Sequence, residues 1–127
     1  MKISKGWLNC GFQAVALIET TGAKTGLKRE FVTLCMPDDE QLYLVGSNWG
    51  RNTPPGWYFN LTAKPQAIVT FRGFKGPVSV TEVIGEQRQQ LWPRLVEYNP
   101  QYQNYQQSCK RVFPVLQLTR TATDTSV

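Results

Sequence analysis

Histidine is missing altogether from the 127 residues. Its absence excludes Ser-His-Asp and Cys-His catalysis, a His-ligated zinc or haem, and an imidazole general base. Cysteine is scarce: Cys10, Cys35 and Cys109 lie far apart, and none belongs to a C-x-x-C pair. A disulfide framework or a zinc ribbon is therefore not expected, and buried free thiols in a reducing cytosol are. Long apolar runs are missing too. Ala14-Val15-Ala16-Leu17-Ile18 is five residues long, against the ~20 that a spanning helix needs. Lys2 and Lys5 are followed by apolar residues that Asn9, Gly11 and Gln13 interrupt, so a signal peptide is not expected. There is no internal repeat and no low-complexity linker. The expectation is one domain over residues 1–121 and a polar tail over 122–127.

What is present is an ordinary globular composition, 41% hydrophobic and 12% aromatic. Fourteen Lys and Arg against nine Asp and Glu give a formal charge of +5. These cations are dispersed except between Lys24 and Arg29, and no nucleic-acid-binding motif accompanies them, so nucleic acid is not an expected partner.

Ala14–Glu19, Glu30–Met36, Leu42–Val45, Ala67–Arg72, Val78–Ile84 and Val112–Leu118 read as strands, bounded by turn residues. The prolines before Trp57 favour a helix start, and Lys64-Pro65 ends it. Trp57 and Leu61 are one turn apart and are expected to plug a core. Gly73–Gly76 reads as a turn. Gly85 opens a helical stretch with Leu91, Leu95 and Tyr98 on one face, and Pro93 either kinks it or starts a second helix. Asn99-Pro100 begins a further helical stretch. About six hairpin-linked strands with helices inserted late argue for a mainly β, α+β chain built as a small antiparallel barrel. An alternating βαβ sheet fits poorly.

Three segments hold chemistry. Thr20–Arg29 combines two glycines, three threonines and the cations Lys24, Lys28 and Arg29. Phosphates and carboxylates favour that mixture of N–H groups, hydroxyls and charge. It is not a P-loop, and on composition alone it reads first as a solvated basic turn. Gly46-Ser47-Asn48-Trp49-Gly50 leaves a strand with small residues able to approach a flat ligand. Tyr102 and Tyr105, three apart on a helix, share a face and are able to line a pocket or donate a proton; aromatic packing serves them equally.

The order of these pieces resembles a known family. They run Thr20-Thr21-Gly22, Lys24-Thr25-Gly26 and Arg29; Gly46-Ser47-Asn48 with Gly50; Pro55, Trp57-Tyr58, Asn60-Leu61, Ala63 and Pro65; Leu91-Trp92-Pro93 with Leu95-Val96; and Pro100, Tyr102 and Tyr105-Gln106. From Leu17 to Leu118 this resembles the deazaflavin-dependent nitroreductases, the F420H2-dependent quinone and nitro reductases. The resemblance implies a split β-barrel similar to flavin reductase and pyridoxamine-phosphate-oxidase-like domains. It implies coenzyme F420, an 8-hydroxy-5-deazaflavin, with FMN on the same barrel as the alternative cofactor. It places Lys24, Thr25 and Arg29 on the cofactor's phosphate and polyglutamyl tail, and Gly46, Ser47, Asn48 and Gly50 on its ring, with Trp57 flanking. It places Tyr102 and Tyr105 on the substrate side, and Ser47, Tyr102 or a water is then the expected proton donor. The implied activity is hydride transfer to a quinone-like or nitroaromatic acceptor; a non-catalytic deazaflavin or lipophile carrier is the other alternative. A cytoplasmic monomer or homodimer is expected, with peripheral membrane contact left open because quinones are lipophilic.

Overall fold

Ala14, Ala16, Ile18 and Thr20 are buried while the residues between them are not, and this period of two makes β1 (Ala14–Thr21) a strand with one inward face. The structure is a computed structural model that describes residues 14–38, 41–48 and 51–121. β2 (Lys28–Asp38) runs back along β1, from Thr21 opposite Lys28 to Ala14 opposite Cys35. β3 (Gln41–Val45) pairs with the far end of β2. After α1 (Gly56–Ala63) come β4 (Gln66–Phe71) and β5 (Phe74–Val83), then α2 (Gly85–Tyr98), α3 (Gln101–Gln107) and β6 (Val115–Arg120). The strands close in the order β1-β2-β3-β6-β5-β4, every pair antiparallel, with β1 pairing β4 to complete the ring. The expected six-stranded antiparallel barrel is therefore present, and closure leaves no free sheet edge.

β3 is buried on both faces from Leu42 to Val45, which explains its apolar run, whereas β6 is so only at Val115 and Leu116. Leu42, Leu44, Leu116 and Leu118 point into the barrel with Ile18, Val69 and Phe71. Tyr43, Val45 and Val115 point outward, where Leu91, Leu95, Tyr102 and Phe113 form a second core beneath α2 and α3. Leu61 on α1 is fully buried in the barrel core, and Trp57 packs against it, as the sequence spacing predicts.

Besides the longer β1 and β2, three features differ from expectation. β5 begins at Phe74 because Arg72 (φ 46°) and Gly73 (φ 82°) make a two-residue turn, rather than a turn across Gly73–Gly76. α2 runs unbroken through Pro93; Pro93 and Gln89 are both exposed, so the carbonyl that loses its helical partner faces water. β6 starts at Val115 instead of Val112. Pro114 has no N–H for a ladder, and Phe113 N–H is taken by Gln106 Oε1 at 2.9 Å.

Cys35 is buried in the barrel, and burial pushes its thiol up to about 12, so it is an inert packing residue. Cys109 is free and half-buried. Cys10 and the tail over 122–127 lie outside the described residues. Among the described residues, no helix is long and apolar enough to cross a membrane.

Candidate active site

A cavity of about 650 Å³ opens where the start of β1 and the middle of β2 meet the exit of β3, the start of α1 and the α2–α3 junction. Val15, Val32, Leu34 and Val45 form its apolar wall. Ser47 and Asn48 form a second wall, Trp57 a third, and Tyr102 with Tyr105 a fourth. Five candidate residues scattered along the chain are thus brought to one space.

The β3 exit is held tightly. Gly46 N–H donates to Pro114 O at 2.8 Å. A Cβ on Gly46 would lie 2.8 Å from Pro114 Cγ, so packing alone demands glycine there. The Gly46 amide is therefore spent within the chain and is not a donor to a ligand. Asn48 adopts a left-handed backbone (φ 47°), and its Nδ2 donates to Thr53 O at 3.0 Å. Gly50 and the neighbouring Trp49 lie outside the described residues. Trp57 stacks flat on Phe31, with centroids 5.4 Å apart and planes 3° apart. It is both a core residue and a cavity wall.

Tyr102 is 4% exposed, and burial pushes its phenol up to about 12 against the opposing pull of its hydrogen bond with Asn99. It is a neutral hydroxyl at any physiological pH. Tyr105 is half-buried beside it. Asn99 is 3% exposed, and its Oδ1 accepts from Gln101 N–H at 3.2 Å, which sets the head of α3. Tyr98 packs on the same outer core, and its hydroxyl accepts from Ala14 N–H at 2.8 Å, tying α2 to β1.

Lys24, Thr25 and Arg29 do not line the cavity; they are exposed at the β1–β2 connection. Gly22 N–H donates to Leu27 O at 2.8 Å and Gly26 N–H to Gly22 O at 3.0 Å. A Cβ at Gly22 would lie 2.7 Å from Thr25 Oγ1 and 3.3 Å from Arg29 Nε, so glycine lets those two side chains converge. Lys28 is committed to Glu19 at 3.0 Å and Glu30 at 3.8 Å, whereas Lys24 and Arg29 form no ion pair among the described residues.

Two residues link these parts, and sequence reasoning gave neither a role. Asn60 Oδ1 accepts Ala23 N–H at 2.9 Å. Asn60 lies three residues after Trp57 on α1, hence on a neighbouring side of that helix. α1 therefore spans from the cavity to the cationic loop. Arg111 reaches the β3 exit: its Nε donates to Arg51 O at 2.9 Å, and its Nη2 lies 3.0–3.1 Å from the carbonyls of Gly46, Ser47 and Thr53. Asn60 stands inside a motif the sequence displays; Arg111 has no such signal, because its acceptors are backbone carbonyls.

The family model described as F420H(2)-dependent quinone reductase matches residues 4–120. An F420H(2)-dependent quinone reductase of Mycobacterium tuberculosis is 34% identical over 107 residues, covering 82% of this chain and 72% of that protein. A solved F420-H2 dependent reductase is 33% identical and superposes with a TM-score of 0.75 over 83% of this chain and 93% of its own. A pyridoxamine 5'-phosphate oxidase-related FMN binding protein of Nostoc punctiforme is 13% identical and superposes at 0.53 over 84% of this chain and 70% of its own, a likeness of fold alone. The expected split barrel is thus met in both kinds of neighbour. With a match that spans nearly its whole length, the chain belongs to the F420H(2)-dependent quinone reductase family.

Proposed function

We propose that this F420H(2)-dependent oxidoreductase reduces a quinone-like acceptor in the cavity walled by Ser47, Trp57, Tyr102 and Tyr105. The observation that carries the reading is the pairing of two features along α1. Trp57 lines a cavity with apolar and aromatic walls, and Asn60 holds a loop with two cations that form no ion pair among the described residues. A flat head group joined to an anionic tail suits that pairing better than a nucleic acid does.

The residues fit a deazaflavin cofactor on the chemistry of their donors. Thr25 and Arg29 converge over Gly22 and, with Lys24 on the same connection, would hold the phosphate and carboxylates of its tail. Ser47, Asn48 and Trp57 would hold the ring, with Gly46 shaping the loop against Pro114. Gly50 belongs to the same assignment. When bound, the cofactor supplies a hydride from C5 of its ring.

The chain's own part is placement. Trp57, fixed by stacking on Phe31, offers a flat face that does not rotate. Val15, Val32, Leu34 and Val45 give the cavity an apolar wall that a bound ring would cover. Tyr102 and Tyr105, on another wall of the cavity, would orient the acceptor against the cofactor ring. The Ser47 or Tyr102 hydroxyl, or a water between them, would donate a hydrogen bond to the acceptor oxygen and supply its one proton, which solvent water then restores. No imidazole is required, which agrees with a chain that has no histidine.

A flat, oxygen-edged quinone suits this wall. A nitroaromatic is the second acceptor class the same surface would take. Fluorescence titration with F420, FMN and FAD, followed by turnover with menadione and a nitroimidazole, tests the reading. Saturable deazaflavin quenching with menadione turnover is expected. A yellow, FMN-loaded protein indifferent to F420H2 would overturn it, and deazaflavin binding without turnover would favour a carrier.

A further inference from the structure

Arg111 lies between α3 and β6, outside the residues that line the cavity. Its guanidinium donates to the carbonyls of Gly46, Ser47, Arg51 and Thr53, so it gathers the backbone on both sides of Asn48. The same group rests on the Phe113 ring, 4.9 Å from its centroid. Arg88 Nη2 fixes that residue from behind by donating to Phe113 O at 2.7 Å. The main chain of Arg111 is tied to α3: Gln106 Nε2 donates to Arg111 O at 2.7 Å, and Gln106 Oε1 accepts Phe113 N–H. Cys109 Sγ adds a contact of 3.6 Å to Arg51 O.

We propose that Arg111 is a positioning residue that fixes the Ser47–Asn48 wall of the cavity against α3, the helix carrying Tyr102 and Tyr105. The proposal rests on the reading of that cavity as the cofactor and acceptor site. The argument is one of geometry and charge. The hydrogen bonds of this guanidinium go to backbone carbonyls, so its placement organises a loop rather than neutralising a carboxylate. A planar fork reaches several carbonyls at fixed angles, which a lysine ammonium, a point charge on a flexible stem, does not reproduce. The wall it holds carries Ser47, and the helix it is tied to carries the tyrosines, so Arg111 sets the spacing between cofactor side and acceptor side. Hydride transfer is sensitive to that spacing, since a shift of about 1 Å costs about 100-fold in rate.

The test compares the full-length protein with Arg111→Met and Arg111→Lys. The local reporter is the Arg51 amide, which donates to Asn48 O at 3.0 Å. In Arg111→Met, its hydrogen exchange should quicken about 10-fold or more, while barrel amides such as Leu44 and Leu118 keep their protection. Turnover of menadione should fall about 10- to 100-fold in kcat, with KM changing less than about threefold. Arg111→Lys should recover part of both, because it keeps the charge and loses the fork. Unchanged Arg51 exchange in Arg111→Met would overturn the proposal. So would an equal loss of protection throughout the barrel, which would make Arg111 a general stabiliser. If the unsubstituted protein neither binds F420H2 nor turns over, the cofactor reading fails, and the exchange data still decide whether Arg111 holds the wall.

Discussion

Tyr102 and Cys35 show how burial assigns different parts to two polar side chains. Both groups are pushed up to about 12, from ordinary values of 10.0 for the phenol and 9.0 for the thiol. Only Tyr102 borders the cavity, so only its proton is placed where an acceptor could use it. Tyr102→Phe, which keeps the ring and removes the hydroxyl, should lower kcat with menadione about 10-fold or more. Steady-state kinetics at saturating F420H2 check this, and an unchanged kcat would pass the donor role to Ser47 or water. The same shifts have a consequence for stability. Folded Cys35 and Tyr102 hold their protons more tightly than the unfolded chain does, so the unfolded state loses protons first as pH rises. Their contribution is intact below pH 9 and is lost as pH rises from 9 through about 12. Urea unfolding at stepped pH should show that decline, smaller in Cys35→Ala. At the cationic loop, Lys24→Ala and Arg29→Ala should each weaken deazaflavin binding about 10-fold, the scale of one charge-assisted hydrogen bond. Fluorescence quenching reads this directly, and unchanged affinity in both would move the anion site elsewhere.

At the scale of elements, α1 joins the cavity to the loop that holds Lys24 and Arg29. Gly22→Ala puts a Cβ 2.7 Å from Thr25 Oγ1 and 3.3 Å from Arg29 Nε, so those side chains must separate. Deazaflavin affinity should fall about 10-fold in this variant, with the melting temperature shifting by only a few degrees. Leu61→Ala should do the reverse. It empties a fully buried position in the barrel core and should cost about 2–5 kcal/mol of stability, read by chemical denaturation. Much of the element order was legible, because apolar alternation and turn residues report directly on which side of a strand is buried. Boundaries were less so. β1 and β2 extend to Thr21 and Lys28 because they are paired there, and pairing partners are not visible in either strand alone. Pro93 suggested a break, yet exposure of Gln89 makes the lost hydrogen bond inexpensive. The site was legible in pieces. Ser47, Tyr102 and Trp57 stand in motifs of recognisable order, whereas Arg111 acts on main-chain carbonyls that leave no mark in the sequence.

For the whole molecule, the six-stranded closed barrel supplies a rigid frame, and α1, α3 and the junction before α3 border the cavity on its outer wall. The net charge of +5 has its most interpretable part in Lys24 and Arg29, where a polyanionic cofactor tail is the expected partner. Added salt should therefore weaken cofactor binding, because exposed charges are screened over about 8–10 Å near physiological ionic strength. The absence of histidine fits the same picture, since in the proposed reaction the cofactor would bring the hydride and a hydroxyl or water the proton. The most direct test is a single-turnover experiment: protein preloaded with F420H2 is mixed with menadione in a stopped flow, and the absorbance of oxidised deazaflavin is followed. The account predicts a rapid rise that saturates with menadione and slows in Arg111→Met and Tyr102→Phe. A rise no faster than F420H2 and menadione give without protein would contradict it.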